Sequence, residues 1–233
     1  MSNCPPATVQ RRIIRFDSGT VEERLDDLLI ESTIKVLWNG KQVFSGLITR
    51  CNLIDFVVGH LISEGMICDD ADIFEISIKG DRIEVTGRDN RCSSPVRELK
   101  HAEIKAWKLI KYANVFRSMG WIYKETGSTH TGALFVDGTA RIFFEDISRW
   151  NVVDKLIGAA FRQDVHPDVV LLSCRVVSPI VEKLVHLGAP IVASVSAPTE
   201  KAVETAEEAG ITLIGFLRGN RFNIYSHEWR IIY

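Results

Sequence analysis

The sequence predicts a two-part α/β protein, and three observations support this fold class. Of its 233 residues, 46% are apolar, which is enough for a buried core in one large or two small domains. The first third alternates β-type runs with a single helical segment. The last third alternates short apolar runs with helical segments, as parallel strands joined by crossover helices do. We therefore expect a small α+β domain over residues 1–95 and an α/β domain over residues 96–233.

Two hairpins and one helix make up the predicted N-terminal part. After the β-type run RRIIRF, the stretch TIKVLWNGKQVFSGLI places Asn39-Gly40 between two alternating runs, which is the signal for a type I′ turn. NLIDFVVGHLISEG has apolar residues at helical spacing and closes at Gly65, so it predicts a helix with a C-terminal glycine. FEISIKGDRIEVTG predicts the second hairpin.

The C-terminal part opens with a predicted helix over residues 96–119, which stops at Gly120. The next stretch, TGSTHTGALFVDGTARIFFED, predicts a hairpin that turns at Asp137-Gly138. A further helix is expected from about Asn151.

Three apolar runs then alternate with two helical segments. VVLLS, IVASV and ITLIGFL predict strands. SPIVEKLVHLG predicts a helix with Ser178 as its N-cap, and SAPTEKAVETAEEAG predicts a helix that opens with Ser196 and Pro198. This alternation predicts a mostly parallel sheet covered on both faces.

The charge balance and hydropathy exclude several classes of partner. Lys plus Arg (28) nearly equals Asp plus Glu (30), so no global field favours nucleic acid or an anionic membrane. No apolar run reaches the roughly 18 residues of a membrane span, and MSNCPPATVQRR has no apolar secretion signal. We expect a cytoplasmic protein.

The five cysteines are widely spaced and contain no C-x-x-C pair. We therefore expect neither a disulfide scaffold nor a metal site. Zinc nucleobase deaminases need H-x-E together with P-C-x-x-C, and phosphate-loop NTPases need G-x-x-x-x-G-K-[ST]; neither complete signature is found.

Polar residues follow each of the three apolar strands. In open α/β sheets, ligands bind beyond the carboxyl ends of the strands. Arg175, Arg218 and Arg221 are suited to phosphate, and the helix starts at Ser178 and Ser196 favour anions. We expect a phosphorylated or nucleotide-like ligand. The alternative is that the hydroxyl residues only cap helices and the arginines are solvated.

Further candidates for chemistry lie ahead of this region. TGSTHTG is a polar turn that places His130 before a buried strand. Glu145, Asp146 and Asp154 could act in proton transfer, although carboxylates near a helix start also serve as capping residues. For His130 too, a structural role remains the alternative.

Long stretches of the chain resemble one family. TGSTHTGALF, FEDISRWNVVDKLIG and the run from LLSCRVVSPIVEKL to GITLIGFLRGNRFNIYS are similar to the FdhD family, the formate dehydrogenase accessory sulfurtransferases. LITRCNLIDFVVGHLISEGMI is similar as well. The pattern SAPTxxAxxxAxxxGITLxGFxR is the most specific part of the resemblance, which spans nearly the whole chain.

This resemblance implies a C-terminal three-layer domain similar to cytidine deaminases, without their zinc. It also implies a sulfur carrier: a cysteine desulfurase loads a persulfide onto a family cysteine, and the sulfur passes to the bis-molybdopterin guanine dinucleotide cofactor of a formate dehydrogenase. The implied partners are the desulfurase and the formate dehydrogenase catalytic subunit. The cofactor contains Mo or W, GDP is its expected mimic, and a homodimer would suit a bis-pterin ligand.

The family's cofactor-binding segment falls on the last part of the predicted crevice. Its six residues here are Phe216, Leu217, Arg218, Gly219, Asn220 and Arg221. To these we add Arg175, His130 and Ser196 as further predicted cofactor contacts.

The predicted sulfur site departs from the family. The family has a C-G-x-C-type loop, whereas here the nearest match, CSSP, offers only Cys92. The motifs E-D-x-G-R-H-N and S-G-R-x-S-x-E are altered too. A lone thiol can carry a persulfide if it is accessible, and Arg91 and Arg97 would favour its thiolate.

Cys92 is therefore the predicted catalytic residue, and Cys174 in the crevice is the lesser alternative. Sulfurtransferase activity depends on whether Cys92 is competent. If it is not, the protein is a chaperone that binds the cofactor but transfers no sulfur.

Overall fold

The computed structural model describes residues 5–92 and 97–233, and the predicted domain boundary at 95/96 lies outside these ranges. No helix in the described part is long and apolar enough to cross a membrane.

The first described element is a hairpin that stands apart from both larger sheets. Among the strands of residues 5–92 and 97–233, β1 (Thr8–Asp17) and β2 (Thr20–Leu29) pair only with each other. The turn residues Ser18 and Gly19 both have positive φ, as a type I′ turn requires. The sequence predicted only residues 11–16 of β1 and did not predict β2. The charged residues of β2 obscure the alternation of apolar and polar residues that marks a strand.

A four-stranded sheet follows, in the order β4-β3-β6-β5. Its strands are β3 (Ser32–Trp38), β4 (Lys41–Ile48), β5 (Ile73–Lys79) and β6 (Arg82–Gly87). Asn39 and Gly40 form the predicted turn, with φ of 48° and 82°. Helix α1 (Leu53–Ser63) connects the two hairpins, and Gly65 takes the predicted left-handed conformation after it.

The second large sheet has six strands, in the order β13-β12-β11-β10-β8-β9. Their bounds are β8 (His130–Val136), β9 (Thr139–Asp146), β10 (Val169–Leu172), β11 (Ile191–Ser194), β12 (Thr212–Arg218) and β13 (Arg221–Ile224). The pairs β10–β11 and β11–β12 are parallel, and the other three are antiparallel. The expectation of a mostly parallel sheet is thus wrong, because hairpin strands extend both edges of the parallel centre.

Helices cover both faces of this sheet, as predicted. Helices α4 (Arg149–Arg162), α5 (Ser178–Val185) and α6 (Glu200–Glu208) pack on one face. Helix α2 (Ala106–Met119) packs on the other, beside two short paired strands, β7 (Ile104–Lys105) and β14 (Ile231–Ile232). A six-residue helix, α3 (Trp121–Thr126), follows α2. The protein is a mixed α/β protein with three layers in this part.

The helix predicted over residues 96–119 is shorter than expected. Its described first residues, 97–105, are not helical, and α2 begins at Ala106. The Arg97 guanidinium donates to the carbonyl oxygen of Val165 at 2.6 Å, and the amide of Lys100 donates to the carbonyl of Gly188 at 2.9 Å. These contacts with distant loops hold the segment extended and override its helical propensity.

One hydrophobic core joins the two predicted domains. Phe56 and Leu61 of α1 belong to the same buried cluster as Leu156 of α4. The two helices cross at Gly59 and Gly158, where a Cβ on Gly59 would lie 1.7 Å from the carbonyl oxygen of Asp154. Only glycine allows this approach, so the N-terminal unit is closely fitted to the C-terminal one.

Candidate functional site

A cleft of about 790 Å³ opens at the carboxyl ends of the central strands, where the sequence predicted a ligand site. Ser173 follows β10, Val195 and Ser196 follow β11, and Arg218 ends β12 with Gly219 directly after it. The opposite wall comes from α2, α3 and the start of β8, through residues Phe116, Arg117, Gly120, Tyr123, Lys124, Gly127, Thr129, His130 and Thr131.

The cleft is positively charged. Arg117, Lys124 and Arg218 line it, and none of its described lining residues is acidic. Arg218 Nε donates to the carbonyl oxygen of Val195 at 2.6 Å, which fixes the guanidinium over the strand end. Because a guanidinium has five N–H donors, four remain for a ligand. Such a fork matches phosphate oxygens bidentately.

A strained backbone position sets the direction of Arg218. Phe216 has a φ of 52°, and the pairing of β12 with β13 shifts register between Gly215 and Arg218. A bulky residue at positive φ is a true outlier, and such bulges redirect neighbouring side chains. The Phe216 amide donates to the carbonyl oxygen of Ser196 at 2.9 Å, which ties the bulge to the adjacent loop.

His130 lies in the cleft wall as an uncharged ring at neutral pH. Burial lowers the pKa of His130, and the positive charges of Arg149 and Arg175 lower it further, whereas the carboxylate of Asp146 raises it. Arg175 is exposed and lies outside the cleft lining, so its effect on His130 is electrostatic. His130 can therefore offer hydrogen bonds to a ligand but no positive charge.

The predicted cofactor segment does not face one cavity. His130, Ser196, Arg218 and Gly219 line the cleft. Asn220 and Arg221 line a different cavity, beyond the turn between β12 and β13. The Leu217 side chain is buried in the core beneath α2, and its carbonyl oxygen accepts from Arg117 at 3.2 Å. Only four of the nine predicted contacts are thus brought together.

The helix starts differ from those predicted. The N-cap of α5 is Val177 rather than Ser178, and α6 begins at Glu200 with Thr199 as its N-cap. The reason is that the loops after β10 and β11 continue side by side, with the Val176 amide bonded to the carbonyl of Ala197. Side-chain cations, not these helix starts, therefore supply the positive charge of the cleft.

Cys92 is not a lone cysteine. It forms a disulfide with Cys68, and their Cα atoms lie 5.5 Å apart. Cys51 is disulfide-bonded too. The sequence predicted no disulfide scaffold, and it missed this pair because the fold brings together thiols that are 24 residues apart in the chain. The rest of the CSSP motif lies outside the described residues.

The alternative thiol, Cys174, is unsuited to nucleophilic chemistry. It is buried beside the carboxyl end of β10. Burial raises the pKa of its thiol to about 11, although Arg149 and Arg175 oppose this rise. The reactive thiolate is therefore scarce at neutral pH.

Neither cysteine of the Cys68–Cys92 pair lines the cleft. Arg162, in the last turn of α4, acts electrostatically on Asp70, two residues after Cys68. Arg149, in the first turn of α4, acts on His130 in the cleft wall. The pair is therefore a site separate from the cleft.

The carboxylates that the sequence offered as acid–base groups have structural partners. Glu145 accepts hydrogen bonds from the amides of Ile122 and Tyr123, which caps the start of α3. Asp146 pairs with the buried Lys155 at 2.6 Å. These contacts favour structural roles for Glu145 and Asp146 over roles in proton transfer.

A second polar cluster was missed by the sequence interpretation, which gave His60 no role. His60 Nδ1 lies 3.0 Å from Asp154 Oδ2, and Lys183 Nζ lies 2.9 Å from Asp154 Oδ1. The hydrogen bond from His60 and the charge of Lys183 lower the pKa of Asp154 despite its burial. These residues line a cavity between α1, α4 and α5. Their separation in sequence by 94 and 29 residues conceals the cluster.

The described residues contain no group of three potential metal ligands. His101-Ala102-Glu103 does match H-x-E, a half-signature that the sequence interpretation overlooked. His101 and Glu103 are exposed in the extended segment before β7, and the His101 ring lies 6.3 Å from the ring of Trp229. Without P-C-x-x-C this match remains incomplete.

Comparisons with known proteins agree on one family. The sequence model of the FdhD/NarQ family matches residues 29–101 and 88–232. The sulfur carrier protein FdhD of Sulfurisphaera tokodaii is 34% identical over 248 residues, which cover 94% of this chain and 96% of the relative. The protein of the same name from Nocardia farcinica is 31% identical and covers 96% and 95%.

A solved structure has the same fold. The crystal structure of a formate dehydrogenase accessory protein from Desulfotalea psychrophila superposes with a TM-score of 0.87 at 22% identity, and the match covers 97% of this chain and all of that one. The family match spans most of the chain, and relatives above 30% identity align over nearly their full length. The chain belongs to the FdhD/NarQ family.

Proposed function

We propose that this protein carries sulfur for the maturation of a formate dehydrogenase and binds a guanine-nucleotide half of the bis-molybdopterin guanine dinucleotide cofactor in its cleft. One observation carries the proposal: the cleft combines three cationic side chains with Thr129, Thr131 and Ser196 and has no acidic residue in its described lining. A diphosphate offers complementary charge and acceptor oxygens.

The residues present fit such a ligand. A volume of about 790 Å³ lies within the usual range for small-molecule sites. The Tyr123 ring is half exposed and offers an aromatic surface for a base. Arg117, Lys124 and Arg218 would hold the phosphates, and His130 would contribute a neutral hydrogen-bonding group. When bound, the cofactor supplies the Mo or W centre that accepts sulfur.

Cys92 is proposed to receive sulfur in its reduced form. Its thiolate attacks the terminal sulfur of a desulfurase persulfide, and the desulfurase cysteine leaves as a thiolate. The product is a persulfide on Cys92, which hands its terminal sulfur to an acceptor and regenerates the Cys92 thiolate. The partners are then a cysteine desulfurase and the formate dehydrogenase catalytic subunit. A reducing compartment such as the cytoplasm would keep the thiols available.

GDP binding tests the cleft. We expect GDP to bind the wild type, and we expect Arg218→Ala to weaken binding on the order of tenfold because a charge-assisted hydrogen bond is lost. The matched control is Arg221→Ala, which removes the same charge from the other cavity and should leave affinity unchanged. Titration calorimetry gives the affinities, and melting curves check folding. Equal loss in both variants would contradict the assignment.

Sulfur loading tests the second half of the proposal. The reduced protein is incubated with a cysteine desulfurase and cysteine, and its peptides are weighed by mass spectrometry. We expect one added sulfur atom on the Cys92 peptide and none in Cys92→Ser.

The disulfide at Cys92 favours a second candidate function, a cofactor-binding chaperone that transfers no sulfur. GDP binding without sulfur on any cysteine of the reduced protein would establish this function instead.

The N-terminal hairpin supports a homodimer. Ile14, Phe16, Val21 and Leu25 lie on one face of it and are 60% to 71% exposed. A two-stranded hairpin is marginal alone, so an uncovered apolar face calls for a partner. Strand β1 carries three arginines and one aspartate, whereas β2 carries four carboxylates and one arginine, so the two strands have opposite net charge and the hairpin is self-complementary. We propose a second copy as its partner.

Light scattering after size exclusion tests this partner. We expect a dimeric wild type and a monomeric Phe16→Asp, because a buried carboxylate would destabilise the interface. Phe74→Asp is the matched control, since Phe74 is equally exposed on β5 and outside the hairpin. A monomeric wild type would rule the dimer out.

A further inference from the structure

The Cys68–Cys92 pair is held by a built arrangement of buried and backbone groups. Cys68 follows α1, and Cys92 follows β6. Asp72 is only 8% exposed, and its carboxylate accepts hydrogen bonds from the amide of Cys68 at 3.2 Å and from Asn90 Nδ2 at 3.1 Å. It therefore fastens both thiol-bearing segments to one point.

Gly65 brings the two segments into contact. The Cys92 amide donates to the carbonyl oxygen of Gly65 at 3.1 Å. A Cβ at Gly65 would lie 2.9 Å from the carbonyl oxygen of Cys92, and the residue has a φ of 67°. The resulting Cα separation of Cys68 and Cys92, 5.5 Å, is the usual one for a disulfide.

Exposure and charge distinguish the two thiols from Cys174 and from each other. Cys68 and Cys92 are both partly exposed, whereas Cys174 is buried. Arg91 precedes Cys92, and two carboxylates, Asp69 and Asp70, follow Cys68. Positive charge favours a thiolate and negative charge opposes it. Cys92 is thus suited to attack first and Cys68 to react second.

We propose that Cys68 is the resolving thiol of Cys92; this role rests on the proposed function, in which Cys92 carries a persulfide. The Cys68 thiolate attacks the Sγ atom of the Cys92 persulfide. The Cys68–Cys92 bond forms, the bond to the terminal sulfur breaks, and that sulfur leaves with the electron pair as hydrosulfide. The terminal sulfur is reduced and the two cysteines are oxidised to a disulfide. A dithiol reductant then restores both thiols and becomes a disulfide itself.

The consequence is a carrier that discards sulfur when no acceptor takes it. Delivery to an acceptor leaves both cysteines reduced, whereas resolution releases sulfide and closes the pair. The closed pair also blocks further loading until it is reduced. Cytosolic disulfides are commonly transient and catalytic or redox-sensing in this way.

Persulfide loading with a small molecule tests the resolving role without a desulfurase. Fully reduced protein is treated with glutathione persulfide, desalted and left without acceptor, and sulfide is trapped with monobromobimane. Peptides are mapped by mass spectrometry under non-reducing conditions. In the wild type we expect one sulfide released for each Cys68–Cys92 disulfide formed. In Cys68→Ser we expect the persulfide to remain on Cys92, with sulfide release slower on the order of tenfold.

Two controls separate this proposal from the proposed function. Cys174→Ser should behave as the wild type, and Cys92→Ser should yield neither persulfide nor disulfide at this pair. Sulfide release from Cys68→Ser at the wild-type rate, with Cys92 loaded, would overturn the resolving role and leave the carrier function intact. If glutathione persulfide loads Cys92 and the pair resolves it, but a cysteine desulfurase adds no sulfur, the carrier function alone is overturned. The disulfide-linked Cys68–Cys92 peptide and the released sulfide are measured on the wild type itself. A folding defect in Cys68→Ser therefore does not affect that result.

Discussion

At the scale of single residues, burial decides which side chains near the cleft carry charge. The raised pKa of Cys174 keeps it a neutral thiol, and the lowered pKa of His130 keeps it a neutral ring at pH 7. The positive charge of the cleft therefore belongs to its three exposed cations. Because their interaction with phosphate is partly screened by water, we expect ligand affinity to fall as the salt concentration rises.

The electrostatic coupling of His130 to Arg175 can be measured directly. Arg175→Ala should raise the pKa of His130, because one of the cations that oppose its protonation is removed. The pKa is read from the ring resonances in an NMR titration. Arg221→Ala, which lines another cavity, should leave the titration unchanged. An unchanged His130 in Arg175→Ala would contradict the coupling.

The residues of the cleft were only partly predictable from sequence. The rule that ligands bind at the carboxyl ends of strands led to Ser196 and Arg218, which do line it. Arg117 and Lys124 were missed because they come from α2 and α3, whose approach to the strand ends is a tertiary feature. Cys68 was missed for the same reason, since its spacing from Cys92 matches no short motif.

At the scale of elements, a buried ion pair ties α4 to its surroundings. Lys155 and Asp146 are fully buried and 2.6 Å apart, and Lys155 Nζ also donates to the carbonyl of Thr49 at 3.0 Å. Asn151 donates to Asp146 as well, at 2.8 Å. Burial lowers the pKa of Lys155, although the negative charge of Asp146 acts to raise it. Such a pair is costly to break from one side.

Asp146→Asn should therefore lower the free energy of unfolding by about 3–5 kcal/mol, because it leaves the Lys155 charge buried without its counterion. The double variant with Lys155→Met should recover part of this loss. Urea denaturation measures both. If adding Lys155→Met to Asp146→Asn lowers the free energy of unfolding further instead of recovering part of the loss, the two residues are not coupled.

The order of helices and strands was largely predictable, because periodicity and turn residues are local signals. The turns at Asn39-Gly40 and Asp137-Gly138 and the start of α4 near Asn151 agree with the structure. Residues 97–105 and the antiparallel edges of the second sheet were not predictable. Both depend on contacts between residues far apart in the chain, which a local pattern does not contain.

At the scale of the whole molecule, two half-buried histidines make stability depend on pH. Burial lowers the pKa of His130 and of His186 from the ordinary value of 6.5, and Lys183 adds to the effect at His186. Below 6.5 the unfolded chain binds protons that the folded chain does not. The free energy of unfolding therefore falls as the pH decreases from about 6.5 towards the lower folded pKa values, and this loss levels off below them.

We expect urea midpoints to decrease between pH 6.5 and about pH 5, above the range in which most carboxylates titrate. His186→Gln should make this decrease smaller, because glutamine takes up no proton in either state. The comparison is made at constant ionic strength. A flat profile for the wild type would show that the folded protein accommodates both charged rings.

The Gly59–Gly158 crossing bears on how the proposed sulfur transfer could reach the cleft. With their backbones in direct contact, α1 and α4 cannot slide past one another, so the N-terminal and C-terminal halves of the molecule keep one relative position. Closure between the two halves is then no means of bringing Cys92, which does not line the cleft, to a ligand bound there. For the proposed transfer, either the segment that carries Cys92 detaches from Gly65, or the acceptor meets Cys92 outside the cleft.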